Sequence, residues 1–381
     1  LLGGVLVSAL FVTSGCSSQA SSHPSVDESS EVDALVLEAQ QQRSQISQRD
    51  LKAVDASARA AVQSAYQAMQ RRQWESLASY AHAAKADPEI GAYPTYWFLR
   101  HLINRASSLS PLDTVVLKKF IDDNPGSYMA ERLKAEWIIK AAELGDHRTA
   151  AALGPVNVNL TQAQCALIQS QAVTGQRVGV RDALDSFSPG NSCWAMLDTL
   201  NAQGRLSFEQ LQPGLRDAVE YDNKAVARRY AALVFSRSQL AQYDAIIQDP
   251  RAWISRQSGS AASTLDAELR AIAFSRLARQ DRDEGIHILN STKLLNDKDK
   301  QWAYAQFGLV SVLNLEDRSD NWYQQSKGVA LSDYNAAWRV RSALRQPKVN
   351  WQRVKDTIEM MNREQQQETA WVYWHSRALE E

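Results

Sequence analysis

Three glycine turns at nearly equal intervals are the sequence feature that most restricts what this chain can fold into. Gly145, Gly175 and Gly204 lie 30 and 29 residues apart. Each follows a stretch rich in alanine or leucine and precedes residues that can begin another helix. Such an interval is typical of proteins built from repeated pairs of helices. With 16 glycines and 10 prolines in 381 residues, the chain has too few turn formers for a fold of many short strands.

The stretch from Asp113 to Ala152 shows the repeating unit in full. Asp113 can cap a first helix, and the Asn-Pro-Gly sequence at 124–126 ends it, because proline cannot continue a helix. Gly145 supplies the left-handed turn that closes the second helix of an antiparallel hairpin. Apolar residues recur on that helix at intervals of three and four, namely Met129, Leu133, Trp137, Ala141 and Leu144.

The same pattern continues to the end of the chain with looser spacing. Bends without glycine, at residues 279–281, 315–317 and 362–368, separate the later helical stretches. No alternating run of apolar and polar residues is long enough to predict a strand. The sequence therefore predicts an all-α domain at residues 56–381, a superhelical array of short antiparallel helical hairpins, solenoid- or ring-like.

The amino terminus has the pattern of an export signal. Residues 1–12 form an uncharged apolar run that is too short to span a bilayer, and small residues precede Cys16. The sequence Thr-Ser-Gly-Cys at 13–16 resembles the lipobox of bacterial lipoproteins, in which the cysteine is acylated. Residues 1–15 are therefore predicted to be the truncated signal peptide of a lipoprotein and Cys16 the lipidation site. An ordinary secretory signal is the alternative, and either signal exports the protein.

Residues 16–55 are predicted to be a lipid-anchored polar tether that includes an uncertain helix. Their first half has almost no apolar residues and should be solvated, while a weak helical pattern begins at Glu31. By analogy with lipoproteins, Ser17 after the acylated cysteine permits sorting to the outer membrane. The predicted location is periplasmic, at the outer membrane, with the lipid as the membrane contact.

The cysteine count predicts one disulfide. With Cys16 assigned to lipid, Cys165 and Cys193 are the two that remain, in a chain bound for an oxidising compartment. A bridge between them is the simple interpretation, and two free buried thiols are the alternative.

Several classes of chemistry lack their usual signals. The six histidines never pair at helical spacing, so no metal site is predicted, and no phosphate loop or Gly-x-Ser-x-Gly motif predicts a cofactor or a nucleophile. A net charge of −1 gives no reason to expect nucleic acid as a partner. The sequence leaves the oligomeric state open.

Tryptophan and arginine offer two further sets of candidates. The eleven tryptophans could face carbohydrate, but aromatic residues at helical spacing more often pack between helices. Some arginines could contact an anionic glycan-peptide strand or could lie on a solvated helix face, and the second interpretation is favoured. These arginines are Arg228, Arg229, Arg339, Arg341 and Arg345.

Local motifs point to one family. The segment 93–145, with Phe-Ile-Asp-Asp-Asn-Pro at 120–125, resembles the amino-terminal superhelical domain of the soluble lytic transglycosylases. The resemblance continues through Thr-Gln-Ala-Gln-Cys at 161–165, Asn-Ser-Cys at 191–193 and Glu-Thr-Ala-Trp-Val-Tyr-Trp at 368–374. It covers about residues 60–381 and implies a disulfide between the two matching cysteines.

The resemblance also implies an activity, with peptidoglycan glycan strands as the partner. The family cleaves the β-1,4 bond between N-acetylmuramic acid and N-acetylglucosamine and releases 1,6-anhydro products in cell-wall turnover. Its catalytic glutamate lies in a Glu-Ser pair of a lysozyme-like domain, followed by a Gly-Leu-Met-Gln type segment. This chain has the pair Glu75-Ser76 without that segment, so no catalytic residue is predicted here. The alternative function is a non-enzymatic helical-repeat envelope lipoprotein that acts as a scaffold or adaptor.

Overall fold

The computed structural model describes residues 56–381, and within that range every regular element is a helix. The predicted signal peptide, the lipidation site Cys16 and the polar tether lie outside the described residues. None of the described helices is both long and apolar enough to cross a membrane. The predicted fold class, an all-α array of helical hairpins, is confirmed.

The chain divides into two compact units, the first ending at Phe98 and the second running from Leu99 to Glu381. A single 3-10 turn, Trp74–Ser76, joins the first two described helices. The helices are α1 Ala56–Gln70, α2 Leu77–Ala84, α3 Tyr93–Arg105, α4 Pro111–Asp123, α5 Tyr128–Glu143, α6 His147–Leu153, α7 Thr161–Val173, α8 Val180–Asp185, α9 Asn191–Ala202, α10 Phe208–Glu220, α11 Lys224–Val234, α12 Arg237–Gln248, α13 Pro250–Ser255, α14 Thr264–Gln280, α15 Arg282–Ser291, α16 Asp297–Leu313, α17 Ser319–Gln325, α18 Asp333–Leu344, α19 Trp351–Glu359, α20 Arg363–Gln366 and α21 Thr369–Glu380.

The first unit buries a small core between its helices. Ala65 and Ala68 of α1 pack with Leu77 of α2, and all three side chains are buried. Trp97 at the end of this unit contacts Tyr66, with ring centroids 5.6 Å apart. Such aromatic pairs add to the area that the hairpin buries.

The predicted turns are where the sequence places them. The backbone of Gly145, Gly175 and Gly204 has a φ of +79°, +81° and +65°, in the left-handed region that glycine adopts without steric cost. The start of α4 differs from expectation by three residues. Ser110, rather than Asp113, is the N-cap, and the Asp113 carboxylate accepts a hydrogen bond from the Ser110 backbone N–H at 2.8 Å. This reciprocal arrangement is a capping box, so both residues contribute to the helix start.

The second unit holds the main core. Helices α14 and α16 lie side by side at its centre, and they bury large side chains such as Phe274, Trp302 and Phe307. Both are surrounded on most sides, because neighbouring hairpins cover their outer faces. This explains why neither helix has a clear polar stripe in sequence.

The two cysteines are joined in the second unit. A disulfide links Cys165 of α7 to Cys193 of α9, with a Cα–Cα distance of 4.8 Å, and both side chains are fully buried. The bond therefore ties together two successive hairpins of the array.

Removing this disulfide is expected to destabilise the second unit by about 3 to 4 kcal/mol. The bond joins residues 28 positions apart, and the closed loop restricts the conformations of the unfolded chain. The double variant Cys165→Ala/Cys193→Ala should show this loss in urea unfolding followed by circular dichroism. Reduction of the unaltered protein under native conditions is the matched comparison. An unchanged unfolding midpoint in both would contradict a stabilising role.

Candidate functional site

Two adjoining cavities lie along α10 in the second unit. Their volumes are about 600 and 530 Å³, and both are lined by Gln212, Arg216 and Lys298. A capping box at Ser207 and Gln210 starts α10, and its apolar side packs into the core. Helix α10 contacts α14 and α18, so residues that are distant in sequence meet along its polar side. We refer to the two cavities together as the α10 cleft.

Arg216 lines both cavities and is held by a charged network. Its guanidinium donates two hydrogen bonds to Glu268, at 2.8 and 2.6 Å, and one to Asp299 at 2.9 Å. It also lies 4.4 Å from the ring centre of Trp302, a distance suited to a cation–π contact. Burial opposes its charge, but the two carboxylates outweigh burial and raise the pKa of Arg216. Arg216 is therefore held in place by its two carboxylate partners and is not free to bind an anionic ligand.

Glu220 fixes the wall of the second cavity. Its carboxylate, 1 % exposed, accepts hydrogen bonds from Trp302 Nε1 at 3.0 Å and from Gln306 Nε2 at 2.7 Å. The other oxygen accepts from the backbone N–H of Ser332 at 3.3 Å and from the Ser332 hydroxyl. Four donors thus satisfy this buried charge, as burial of a carboxylate requires.

The open side of the second cavity combines carboxyl groups with aromatic rings. Burial, followed by the charges of Glu220 and Asp333, raises the pKa of Asp217 to about 6. The Asp217 side chain is nevertheless open to solvent. Directly after α10, Tyr221 stacks on Tyr334 with ring centroids 4.3 Å apart and is 55 % exposed. A ring face beside carboxylate acceptors suits a ligand with both apolar faces and hydroxyl groups.

The raised pKa of Asp217 predicts a pH dependence of stability. Because the pKa is about 6 in the folded protein against an ordinary value of 3.8, folding favours the protonated form. The stabilising contribution is fully present below pH 3.8 and is lost as the pH rises through about 6. As the pH rises from about 4 to about 7, Asp217→Asn should therefore lose less stability than the unaltered protein. Melting temperatures across that range test this.

A control variant makes the comparison specific. Asp185 is an exposed carboxyl on α8, and Asp185→Asn should leave the pH dependence unchanged. If Asp217→Asn and Asp185→Asn follow the same pH profile, the electrostatic account of Asp217 is wrong.

The arginines singled out in the sequence have different surroundings. Arg228 and Arg229 are paired with Asp244 and Asp198, respectively. Arg341 is exposed and lies over the rings of Trp338 and Trp371. These pairs hold the arginines on the solvated surface, in agreement with the favoured interpretation.

Arg339 corrects that interpretation. It is only 3 % exposed, and burial lowers the pKa of its guanidinium. The hypothesis of a solvated helix face is therefore wrong at this position, since neighbouring helices cover it. Arg345 is exposed, and none of the five candidate arginines lines the α10 cleft.

Two other kinds of site were considered in residues 56–381, a catalytic glutamate and a metal site. Glu75 is exposed in the 3-10 turn of the first unit. Over the same range, no cluster of histidine, cysteine and acidic residues is arranged to hold a metal ion.

Sequence reasoning missed the cleft residues. Gln212, Arg216 and Glu220 recur every four residues on α10, which places them on one face. That spacing is the only local signal, and a solvated helix face shows the same pattern. Their partners are 52 to 112 residues away along the chain, so the sequence alone does not reveal them.

Solved structures with a similar fold include lytic transglycosylases. An inactive mutant of lytic transglycosylase Slt from Pseudomonas aeruginosa matches 80% of this chain with a TM-score of 0.52 and 22% identity. The 70-kDa soluble lytic transglycosylase of Escherichia coli matches 84% of the chain, with a TM-score of 0.48 and 19% identity. A complex of a 70-kDa soluble lytic transglycosylase with bulgecin A gives a TM-score of 0.48 at 20% identity.

Only part of each matched enzyme corresponds to this chain. The chain spans about half the length of these enzymes, 51% of the Pseudomonas protein and 52% of the other two. No protein-family model and no curated protein matches the sequence. The likeness to the Pseudomonas enzyme confirms, at the level of the fold, the resemblance to the superhelical domain of the soluble lytic transglycosylases that the motifs indicated.

Proposed function

We propose that this chain is the non-catalytic superhelical part of an exported lytic transglycosylase, and that it binds glycan strands of peptidoglycan. The observation that carries the proposal is the fold shared with the Pseudomonas lytic transglycosylase. The family motifs at 93–145 and 161–193 support it. The complete enzyme would cleave the β-1,4 bond between N-acetylmuramic acid and N-acetylglucosamine and form 1,6-anhydro products.

The α10 cleft is the proposed contact with the glycan. The exposed ring of Tyr221, which stacks on Tyr334, offers an apolar face to a sugar, and Asp217 and Asp333 offer acceptors to its hydroxyl groups. Burial and the charges of Glu368 and Glu364 raise the pKa of Asp333, as burial and neighbouring carboxyls do for Asp217. With a pKa of about 6, the Asp217 carboxyl can donate as well as accept a hydrogen bond in mildly acidic solution.

Catalysis would lie outside this chain. In the family mechanism, one carboxyl group first protonates the leaving oxygen and then removes a proton from the muramyl 6-hydroxyl, alternating between acid and base. We assign that group to a lysozyme-like domain of the parent enzyme. Lipidation at Cys16 would anchor the enzyme in the periplasm at the outer membrane, and mass spectrometry of Cys16→Ser against the unaltered protein tests this anchor.

Cosedimentation with purified peptidoglycan sacculi tests the proposed function. The chain should sediment with sacculi and release no 1,6-anhydro products. Tyr221→Ala should reduce the bound fraction, because it removes the exposed ring of the α10 cleft. Tyr128→Ala is the matched control, since Tyr128 is 66 % exposed on α5 and does not line the cleft.

The outcomes separate the two candidate functions. Release of 1,6-anhydro products by the chain alone would contradict the non-catalytic assignment. Failure to sediment with sacculi would contradict glycan binding and would favour the scaffold function. If Tyr221→Ala and Tyr128→Ala bind sacculi equally well, the α10 cleft is not the contact with the glycan.

A further inference from the structure

Part of the second cavity of the α10 cleft is apolar. The cavity has a volume of about 530 Å³. Its apolar lining comes from Pro213 of α10 and from the segment between α17 and α18, namely Val329, Ala330 and Leu331. A lining of this kind suits an aliphatic chain of a few carbon atoms.

The polar part of the same cavity carries an excess of negative charge. Its charged lining residues are three acidic and two basic ones, namely Asp217, Glu220, Asp333, Arg216 and Lys298. The Arg216 guanidinium is already paired with Glu268 and Asp299, neither of which lines this cavity. This leaves the ammonium group of Lys298 to offset three carboxyl groups.

The carboxyl of Asp217 is the group that most lacks a cation. It makes no hydrogen bond and no ion pair with the described residues. Burial, followed by the negative charges of Glu220 and Asp333, raises its pKa. Asp333 accepts a hydrogen bond from Nδ2 of Asn362 at 2.5 Å, and burial and neighbouring carboxyls raise its pKa as well. A bound cation would offset the repulsion between these carboxyls.

An exposed aromatic ring lies beside the two aspartates. Tyr221 also lines the cavity, and 55 % of it is exposed although it stacks on Tyr334. Burial, and then charges that include those of Asp217 and Asp333, raises the pKa of the Tyr221 hydroxyl, so this ring lies close to both carboxyls. The face of an aromatic ring attracts an ammonium group. The ring and the carboxyls therefore favour the same kind of ligand.

We infer that the second cavity binds an aliphatic primary amine. The ammonium group donates hydrogen bonds to Asp217 and Asp333 and lies against the ring of Tyr221, while the alkyl chain packs on Val329 and Leu331. A neutral ligand would leave the excess negative charge in place, and a metal ion would leave the apolar lining in water. The inference follows from the lining of this cavity and does not rest on the proposed function.

Titration of the full chain with pentylamine tests this inference at about pH 7.5, where the amine is charged. The tyrosine rings carry carbon-13, and Tyr221→Phe identifies the resonance of Tyr221. That resonance should move in a saturable manner as the ammonium group approaches the ring. Asp217→Asn should weaken binding about five-fold, the loss expected for one partly exposed charge pair. This variant should fold, because it removes a charge that burial and neighbouring carboxyls disfavour.

A matched variant and two other ligands test the chemistry. Glu209→Gln removes an exposed carboxylate on the same helix that lines the first cavity and not the second, so it should bind as the unaltered protein does. Pentan-1-ol has the same alkyl chain without the charge and should move the Tyr221 resonance far less. Magnesium chloride at the same concentration should also move it less, since a compact ion gains nothing from the apolar lining.

A further ligand separates two sources of such an amine, a free small molecule and a lysine side chain. Nα-acetyl-L-lysine amide carries the same ammonium group beside peptide groups. Weaker binding than that of pentylamine assigns the cavity to free amines, and equal or tighter binding assigns it to lysine side chains. Both results support an ammonium site.

Other results would overturn the amine site. These are no movement of the Tyr221 resonance at millimolar pentylamine, equal binding by Asp217→Asn and Glu209→Gln, or equal movement with pentan-1-ol or magnesium chloride. If sacculi still sediment the chain in that case, the proposed glycan binding stands alone. If pentylamine binds while sacculi do not sediment the chain, the amine site stands and the proposed function fails.

Discussion

Glu220→Ala is expected to lower the free energy of unfolding of the second unit by about 3 to 5 kcal/mol. The replacement leaves Trp302 Nε1 and Gln306 Nε2 without the acceptor that they share in the core. It also leaves the backbone N–H and the hydroxyl of Ser332 without the carboxylate to which both donate. Each buried donor that loses its partner costs about 1 to 3 kcal/mol. Urea unfolding followed by circular dichroism measures the loss.

Two variants make the Glu220 result specific. Glu220→Gln keeps one acceptor oxygen and the shape of the side chain, so it should cost less than alanine. Glu209→Ala changes an exposed glutamate on the same helix and should have little effect. A Glu220→Ala protein as stable as Glu209→Ala would show that the four hydrogen bonds add nothing to the fold.

Arg216→Met is expected to lower the free energy of unfolding by about 3 to 5 kcal/mol, as Glu220→Ala does, because it leaves a buried carboxylate without its charged partner. Glu268 is 1 % exposed and receives two hydrogen bonds from Arg216, and Asp299 receives a third. Methionine keeps most of the side-chain volume, so the loss would be electrostatic rather than a matter of packing. Differential scanning calorimetry and urea unfolding measure it.

A compensating variant tests the physical reason. Arg216→Met/Glu268→Met removes the guanidinium and the more buried of its two carboxylates and should recover part of the stability, while Asp299 keeps its hydrogen bond from Asn296. Arg228→Ala breaks an exposed pair with Asp244 and should change stability little. Equal losses for the single and double variants would contradict the charge-pair explanation.

Local features of the fold could be predicted from the sequence. The left-handed turns at Gly145 and Gly175 follow from the absence of a side chain, and burial of Leu133 and Trp137 follows from their spacing. The bridge between Cys165 and Cys193 followed from counting cysteines in a chain that is predicted to be exported. Each of these inferences depends on neighbouring residues or on composition, both of which the sequence states directly.

The α10 cleft could not be predicted in the same way. Arg216 meets Glu268 and Glu220 meets Ser332 across 52 and 112 residues, and no local pattern encodes which hairpins come together. Arg339 illustrates the same limit, because helical spacing gives the face on which a residue lies but not what covers that face. Ser110 was missed as a cap because Asp113, its partner in the capping box, is also a good capping residue.

The hydrogen bonds between Glu220 and Ser332 have a consequence for how the second unit folds. In an ideal helical solenoid each repeat touches only its neighbours, so stability is a sum of local terms and unfolding can proceed from one end. A link across 112 residues breaks that one-dimensional order, because it closes a long loop through α11 to α17. Loop closure of this length raises the contact order, which slows folding but joins distant repeats into one cooperative transition. We therefore expect the helices between Glu220 and Ser332 to unfold together in one transition rather than hairpin by hairpin.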